Sequence, residues 1–130
     1  MIWIGDYVVG VDYLDDQHRE IVEGIATFQG EFSDDDEMKE AVSQLFEAIR
    51  THFRHEEIIL YRHGYKDRDK HQQIHNKFLE GLNLLEGKVQ QGGRELQPML
   101  YEFLAKWFHE HLVNVDQKYS EIVGKFSRPA

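Results

Sequence analysis

Residues 38–60 read MKEAVSQLFEAIRTHFRHEEIIL. Steps of three and four residues connect Met38, Val42, Leu45, Ile49, His52, Glu56 and Ile59. That rhythm marks one face of a helix turned toward a core. His52 and Glu56 keep the rhythm but break its chemistry, because an imidazole and a carboxylate are costly to bury without partners. The stretch therefore fixes a helix and places metal-ligand residue types on its inward face.

Three further segments show the same spacing. One carries Leu14, Ile21, Val22, Ile25, Phe28 and Phe32; another Phe78, Leu82, Leu85 and Val89; the last Leu96, Leu100, Phe103, Leu104 and Trp107. No run alternates with period two, as a half-buried strand would. Ser33-Asp34-Asp35-Asp36 reads as a loop supplying a helix N-cap. Gly64 closes the second segment, with Asp67 or Asp69 opening the third. Gly92-Gly93 is the next break, and Pro98 suits the first turn of the last helix. Four helices of roughly 20 residues, each about 30 Å long, joined by short loops predict an all-α, up-down-up-down four-helix bundle. The expected organisation is a single domain over residues 1–130. It comprises an irregular N-terminal arm at 1–11, a bundle over about 12–125 and a frayed tail at 126–130.

Composition narrows the function. A 130-residue chain with 41% apolar residues has the material for a real core. The absence of Cys rules out disulfide frameworks, thiolate zinc sites and cysteine nucleophiles. Asp and Glu outnumber Lys and Arg by 24 to 15, and a net charge of −9 is a poor match for nucleic-acid phosphates or an anionic membrane face. No apolar run approaches the length of a membrane span, so neither nucleic acid nor membrane insertion is expected. The N-terminus lacks the basic start and long apolar stretch of a signal peptide, and a cytoplasmic location is the expectation.

The eight histidines are the unusual feature. His52 and Glu56 extend the second stripe. His71 and His75 begin the third (71, 75, 78, 82), His111 ends the fourth (100, 103/104, 107, 111), and His18 falls in the inward phase of the first (14, 18, 21, 25). Side chains at i and i+4 differ by only about 40° around a helix and can reach one point. Height supplies an independent criterion. In an up-down-up-down bundle the start of helix one, the end of helix two, the start of helix three and the end of helix four share one end of the molecule. All six groups fall there. Core histidines satisfied singly by hydrogen bonds have no reason to agree in height. Among the six, His71, at a helix start, is the one most readily explained as a surface residue that happens to fall in phase.

The segments Asp15-Asp16-Gln17-His18, His52-Phe53-x-x-Glu56-Glu57, His71-x-x-x-His75 and Trp107-x-x-x-His111-x-x-x-x-Asp116 together resemble the hemerythrin family, in its single-domain bacterial form. The resemblance runs from Trp3 to about Tyr119. Its one departure is Lys66, a loop position where many relatives carry proline after the Gly-Tyr pair. The resemblance implies a non-heme di-iron centre (Fe2+/Fe3+). His71, His75 and His111 would bind one iron and His18 and His52 the other. Glu56 and Asp116 would bridge both, together with an oxo or hydroxo group. Asp116 enters through the resemblance alone. At i+5 from His111 it points about 140° away on an ideal helix, so the assignment requires a π-type turn, a kink or a helix end before it.

Given that ligand set, two octahedral irons offer twelve positions. Five imidazoles, two bridging carboxylates and one bridging oxygen occupy eleven, which leaves one open on the two-histidine iron. Five neutral imidazoles against two carboxylates disfavour high-valent iron. The paired Glu-x-x-His motifs of carboxylate-rich di-iron enzymes are absent, and so is His-Glu-x-x-His. The resemblance accordingly implies reversible O2 binding for storage, transport, delivery or sensing rather than an enzyme, with Phe53, Ile59, Phe108 and Leu112 excluding water. The alternative is a peroxidase or a scavenger of NO or peroxide using the same centre. A His/carboxylate site also accepts manganese, zinc or cobalt, and no protein partner is indicated. His55 and His109 read as surface residues and His63 as a partner of helix C-terminal carbonyls. Tyr61, Tyr65, Tyr101 and Tyr119 read as partly buried amphipathic residues rather than as hydrogen-bond partners of the ligands. The acidic patch 31–40 reads as solvated, and Trp3 and Tyr7 as packed on the bundle.

Overall fold

Asp34 and Gly64 delimit the longest helix, each by a recognisable device. The Asp34 carboxylate accepts the Glu37 backbone N–H at 2.8 Å, while the Glu37 side chain accepts the Ser33 backbone N–H at 2.9 Å and the Ser33 hydroxyl. This reciprocal pattern satisfies an otherwise orphaned amide of the first turn and ties the preceding loop to it. At the other end Gly64 adopts φ +63°, Gly64 N–H donates to Tyr61 O at 3.1 Å and Tyr65 N–H to Leu60 O at 3.0 Å. That is a Schellman stop, and the left-handed conformation favours glycine.

The computed structural model describes residues 1–120. Helix α1 spans Asp12–Ala26, α2 Asp35–Arg62, α3 Arg68–Gln91 and α4 Gln97–His111, with no strand among the described residues. Short 3-10 turns occupy Gly5–Tyr7, Thr27–Gln29 and Arg94–Leu96. Asp67 opens α3 by position, without a side-chain cap bond, and Pro98 lies in the first turn of α4. Helix α1 packs on α2 and α4, and α2 packs on α3. The four-helix bundle is thus as expected. The expected tail at 126–130 and the last residues of the expected bundle lie outside the described residues. No helix of the described residues is long and apolar enough to cross a membrane.

Every member of the 38–59 stripe is buried, His52 and Glu56 included. The main apolar core fills one end of the bundle with Ile25, Met38, Val42, Phe46, Ile49, Leu82, Leu100 and Leu104. A second cluster of Val9, Val11, Leu14, Ile59, Leu60, Tyr65 and Tyr119 closes the other end. The fourth stripe departs from expectation: Phe103 is 38% exposed and Trp107 half-buried. Adjacent residues stand about 100° apart on a helix, so Phe103 cannot share the inward direction that Leu104 takes.

The arm is fastened to the bundle. Asp15 accepts the Val9 and Gly10 amides at 2.7 and 3.1 Å, and the Gln117 amide donates to the carbonyls of Asp6 and Val8 at 2.7 and 2.9 Å. Tyr7 is buried, and Trp3 meets it edge-on and carries the Arg19 guanidinium 4.6 Å above its ring. Both aromatics pack on the bundle, as the sequence indicates.

Candidate metal centre

Between the two apolar clusters the four helices converge on a patch of nitrogen and oxygen atoms. His18 comes from α1, His52 and Glu56 from α2, His71 and His75 from α3, His111 from the end of α4 and Asp116 from the turn beyond it. All seven are buried, none more than 4% exposed. His71, the member most open to a surface explanation, is 3% exposed one turn inside α3 and belongs with the others.

The atoms form two overlapping groups, each with its donor atoms within 4.8 Å of one another. One comprises Glu56, His71, His75, His111 and Asp116; the other His18, His52, Glu56 and Asp116. Glu56 Oε1 lies 2.7 Å from His71 Nε2 and 3.2 Å from His75 Nε2, while Oε2 lies 3.2 Å from His52 Nε2 and 3.4 Å from His18 Nε2. Asp116 divides similarly: Oδ1 is 3.0 Å from His111 and 3.3 Å from His71, and Oδ2 is 3.4 Å from His18. The two carboxylates therefore each face both groups.

Asp116 reaches this position through a distortion of the backbone. Residues Leu112–Asp116 form a π-turn, and the chain resumes α-helical geometry at Gln117. A π-turn brings i and i+5 nearly into line, and His111 and Asp116 consequently meet. The distortion that the assignment required is present.

The donor set fits a metal better than it fits hydrogen bonding. Both Asp116 oxygens and His18 Nδ1 are buried without a hydrogen-bond partner, a costly state for a carboxylate. The Nε2 atoms of His75 and His111 face each other at 3.2 Å. Donors sharing one ion at about 2.1 Å lie about 3 Å apart along octahedral edges, which is the spacing seen here.

Surrounding groups hold these side chains in place. The Phe53 ring lies parallel to His75 at 3.7 Å between centroids, and Trp107 stacks on His111 at 4.3 Å. The Gln17 amide accepts from His52 Nδ1 at 2.8 Å and donates to His55 Nδ1 at 2.7 Å. Glu57 contacts His75 Nδ1 at 3.2 Å. Tyr119, fully buried, donates its hydroxyl to Glu56 Oε2 at 2.7 Å. This last contact corrects the reading of Tyr119 as a merely amphipathic residue. Tyr65 is also buried, whereas Tyr61 is largely exposed. The roles of Gln17 and Glu57 were missed by spacing analysis. Each is a neighbour of a ligand-type residue in sequence, which was the only available signal. His55 and His109 are exposed, as expected, although Tyr7 also bonds His109 at 2.8 Å.

The electrostatics are those of a tightly coupled cluster. Burial alone lowers the His18 pKa, but Asp116 and Glu56 outweigh it and raise the group to about 9; His71 is raised to about 10 by the same balance. His52 is lowered by burial and by the charge on His18. Burial pushes the Glu56 and Asp116 carboxyls up, yet the surrounding imidazoles hold both well below the usual range. Burial and the two carboxylates raise Tyr119 well above an ordinary phenol, so it keeps its proton and remains a donor.

Comparison with known proteins agrees with this geometry. The hemerythrin HHE cation binding domain matches residues 9–123. Bacteriohemerythrin of Pseudomonas aeruginosa (strain LESB58) is 27% identical over 126 residues, covering 95% of this chain and 81% of that protein. Myohemerythrin-1 of Phascolopsis gouldii is 27% identical over 118 residues, covering 91% and 90%. The crystal structure of wild-type hemerythrin superimposes with a TM-score of 0.84 at 22% identity over 95% of this chain and 98% of that one, a likeness of fold. With four helices carrying one buried His/Glu/Asp cluster and a family match over nearly its whole length, this chain belongs to the hemerythrin family.

Proposed function

We propose that the seven buried residues hold two iron ions and that the protein binds O2 reversibly, as a carrier, store or sensor and not as an enzyme. The observation that carries this reading is the sharing of Glu56 and Asp116 by both donor groups. A carboxylate that faces two sets of imidazoles is suited to bridging two ions. His71, His75 and His111 would hold one, His18 and His52 the other, with an oxo or hydroxo group completing the bridge. The likeness to bacteriohemerythrin and myohemerythrin-1 supports the choice of iron. When bound, the iron pair supplies the electrons that O2 takes up.

The chain's own residues then decide the outcome. The ligand count leaves one position free on the two-histidine side. Phe53, about 1% exposed, lies on His75 and near His111, and the buried Phe108, Leu112 and Ile59 would extend an apolar wall around the cluster. Such walls admit a small neutral ligand and keep out the water that would displace charged oxygen species.

The test is reversibility. Reduced, iron-loaded protein is exposed to O2 and then purged with inert gas over several cycles. A spectrum that returns with little loss supports binding, whereas rapid consumption of added peroxide or NO over many turnovers would favour the scavenger reading.

A further inference from the structure

The two halves of the cluster are not equivalent, and their surroundings differ in one consistent direction. The His71/His75/His111 side has one imidazole more than the His18/His52 side. On it His75 Nδ1 contacts a carboxylate, Glu57, at 3.2 Å, and a carboxylate behind a ligating imidazole strengthens the nitrogen that faces the metal. His75 and His111 are also stacked on Phe53 and Trp107, 1° and 14° from parallel, which fixes both rings before anything binds. On the opposite side His52 is backed by the neutral Gln17 amide. His18 Nδ1 is buried with no partner, so no group behind the ring strengthens the nitrogen that faces the cluster. Tyr119 donates to Glu56 Oε2, the oxygen facing His52 and His18, and leaves Oε1 to His71 and His75. A phenol on that oxygen draws away electron density that a cation on the same side would use.

We infer that the two positions load in order, a first divalent ion at the His71/His75/His111 side and a second, more weakly held, at the His18/His52 side, with Glu57 and Tyr119 as the positioning residues that set the gap. The inference rests on the metal-centre reading above but does not follow from it, since a symmetric pair of sites would serve that reading equally well. It also assigns the exchangeable position to the side with the free coordination position, so partial metal loss would silence the ligand-binding half first.

Cobalt(II) tests this without O2 chemistry. Metal-free full-length protein is titrated with Co2+, following the visible d–d bands for each step and counting bound ions by native mass spectrometry. Two resolved steps with a well-populated one-cobalt species are expected. Glu57→Gln, at a side chain 21% exposed, should weaken the first step about 10- to 100-fold and shift the spectrum of the one-cobalt species. Tyr119→Phe should tighten the second step several-fold and leave the first spectrum unchanged. Circular dichroism establishes that each variant is folded, and the two variants act on opposite steps, so loss of one leaves the other decisive. A single step that delivers both ions together, or a Glu57→Gln effect confined to the second step, would overturn the ordering while leaving a two-metal site intact. Failure of the parent protein to bind cobalt at all would instead remove the metal-centre reading.

Discussion

His111 Nε2 lies 3.0 Å from Asp116 Oδ1, although the two residues are five apart on one helix. Regular α-helical geometry would separate their directions by about 140°. The π-turn at Leu112–Asp116 removes that separation and also delivers Asp116 to within 3.3 Å of His71 and 3.4 Å of His18. Helical hydrogen bonding leaves the α pattern where the chain places its second shared carboxylate. The β-branched Val113 and Val115 on either side of Asn114 weaken the helix there.

Metal removal should destabilise the fold. Seven buried polar groups lose their common partner, and a ligand that binds only the native state stabilises it by mass action. Chelation of protein isolated with two irons per chain should cost about 3 kcal/mol or more, equivalent to a fall of roughly 10 °C in Tm. Differential scanning calorimetry with and without chelator measures it, and identical melting curves would count against the assignment.

Glu56→Ala should be worse for the centre than His18→Ala. Glu56 approaches four imidazoles and receives the Tyr119 hydroxyl, whereas His18 offers one nitrogen to the two carboxylates. Glu56→Ala is expected to lose the coupled pair; His18→Ala is expected to keep at least one ion. Metal analysis showing the same dinuclear content in both variants would contradict this.

Phe53→Ala removes a buried ring that lies parallel to His75 and touches Phe78, Trp107 and Phe108. Large-to-small changes of this kind cost about 3–5 kcal/mol. Denaturant unfolding of the metal-free variant should show a loss in that range, and Phe53→Leu a smaller one. The opened space should also speed oxidation of the reduced, loaded protein. A loss below about 1 kcal/mol would mean that the ring does not support the site.

Metal affinity should rise with pH. In the metal-free cluster His18 at about 9 and His71 at about 10 are protonated at neutral pH. An incoming ion must displace those protons, so binding is opposed below the raised values and relieved as pH climbs through them. Loading of both positions should strengthen by about a hundredfold per pH unit between pH 7 and 9, two protons being released. Competition titrations with a chelator of known pH dependence give the slope; a flat profile would show that neither imidazole carries its proton in the metal-free state.

Much of this was legible from spacing. The stripe from Met38 to Ile59 identifies its helix and places His52 and Glu56 inward, because burial follows the 3.6-residue period whatever the side chain. The shared height of His18, His75 and His111 follows from antiparallel topology alone. Asp116 was not legible that way, since a one-residue π insertion shifts the phase without leaving a mark in the apolar pattern. Gln17, Glu57 and Tyr119 were hidden for another reason. Each sits beside the inward phase or beyond the distortion, and whether a half-turned polar side chain bonds a ligand or meets water depends on the neighbouring helix. Phe103 shows the same limit at adjacent apolar pairs.

The most direct measurement is an anaerobic optical titration of the fully reduced protein with O2, with iron determined on the same sample. The account predicts two irons per chain, one O2 taken up per iron pair, and a single endpoint that reverses when O2 is withdrawn. One iron or none per chain, or an O2 uptake that never reaches an endpoint because the gas is consumed, would contradict it.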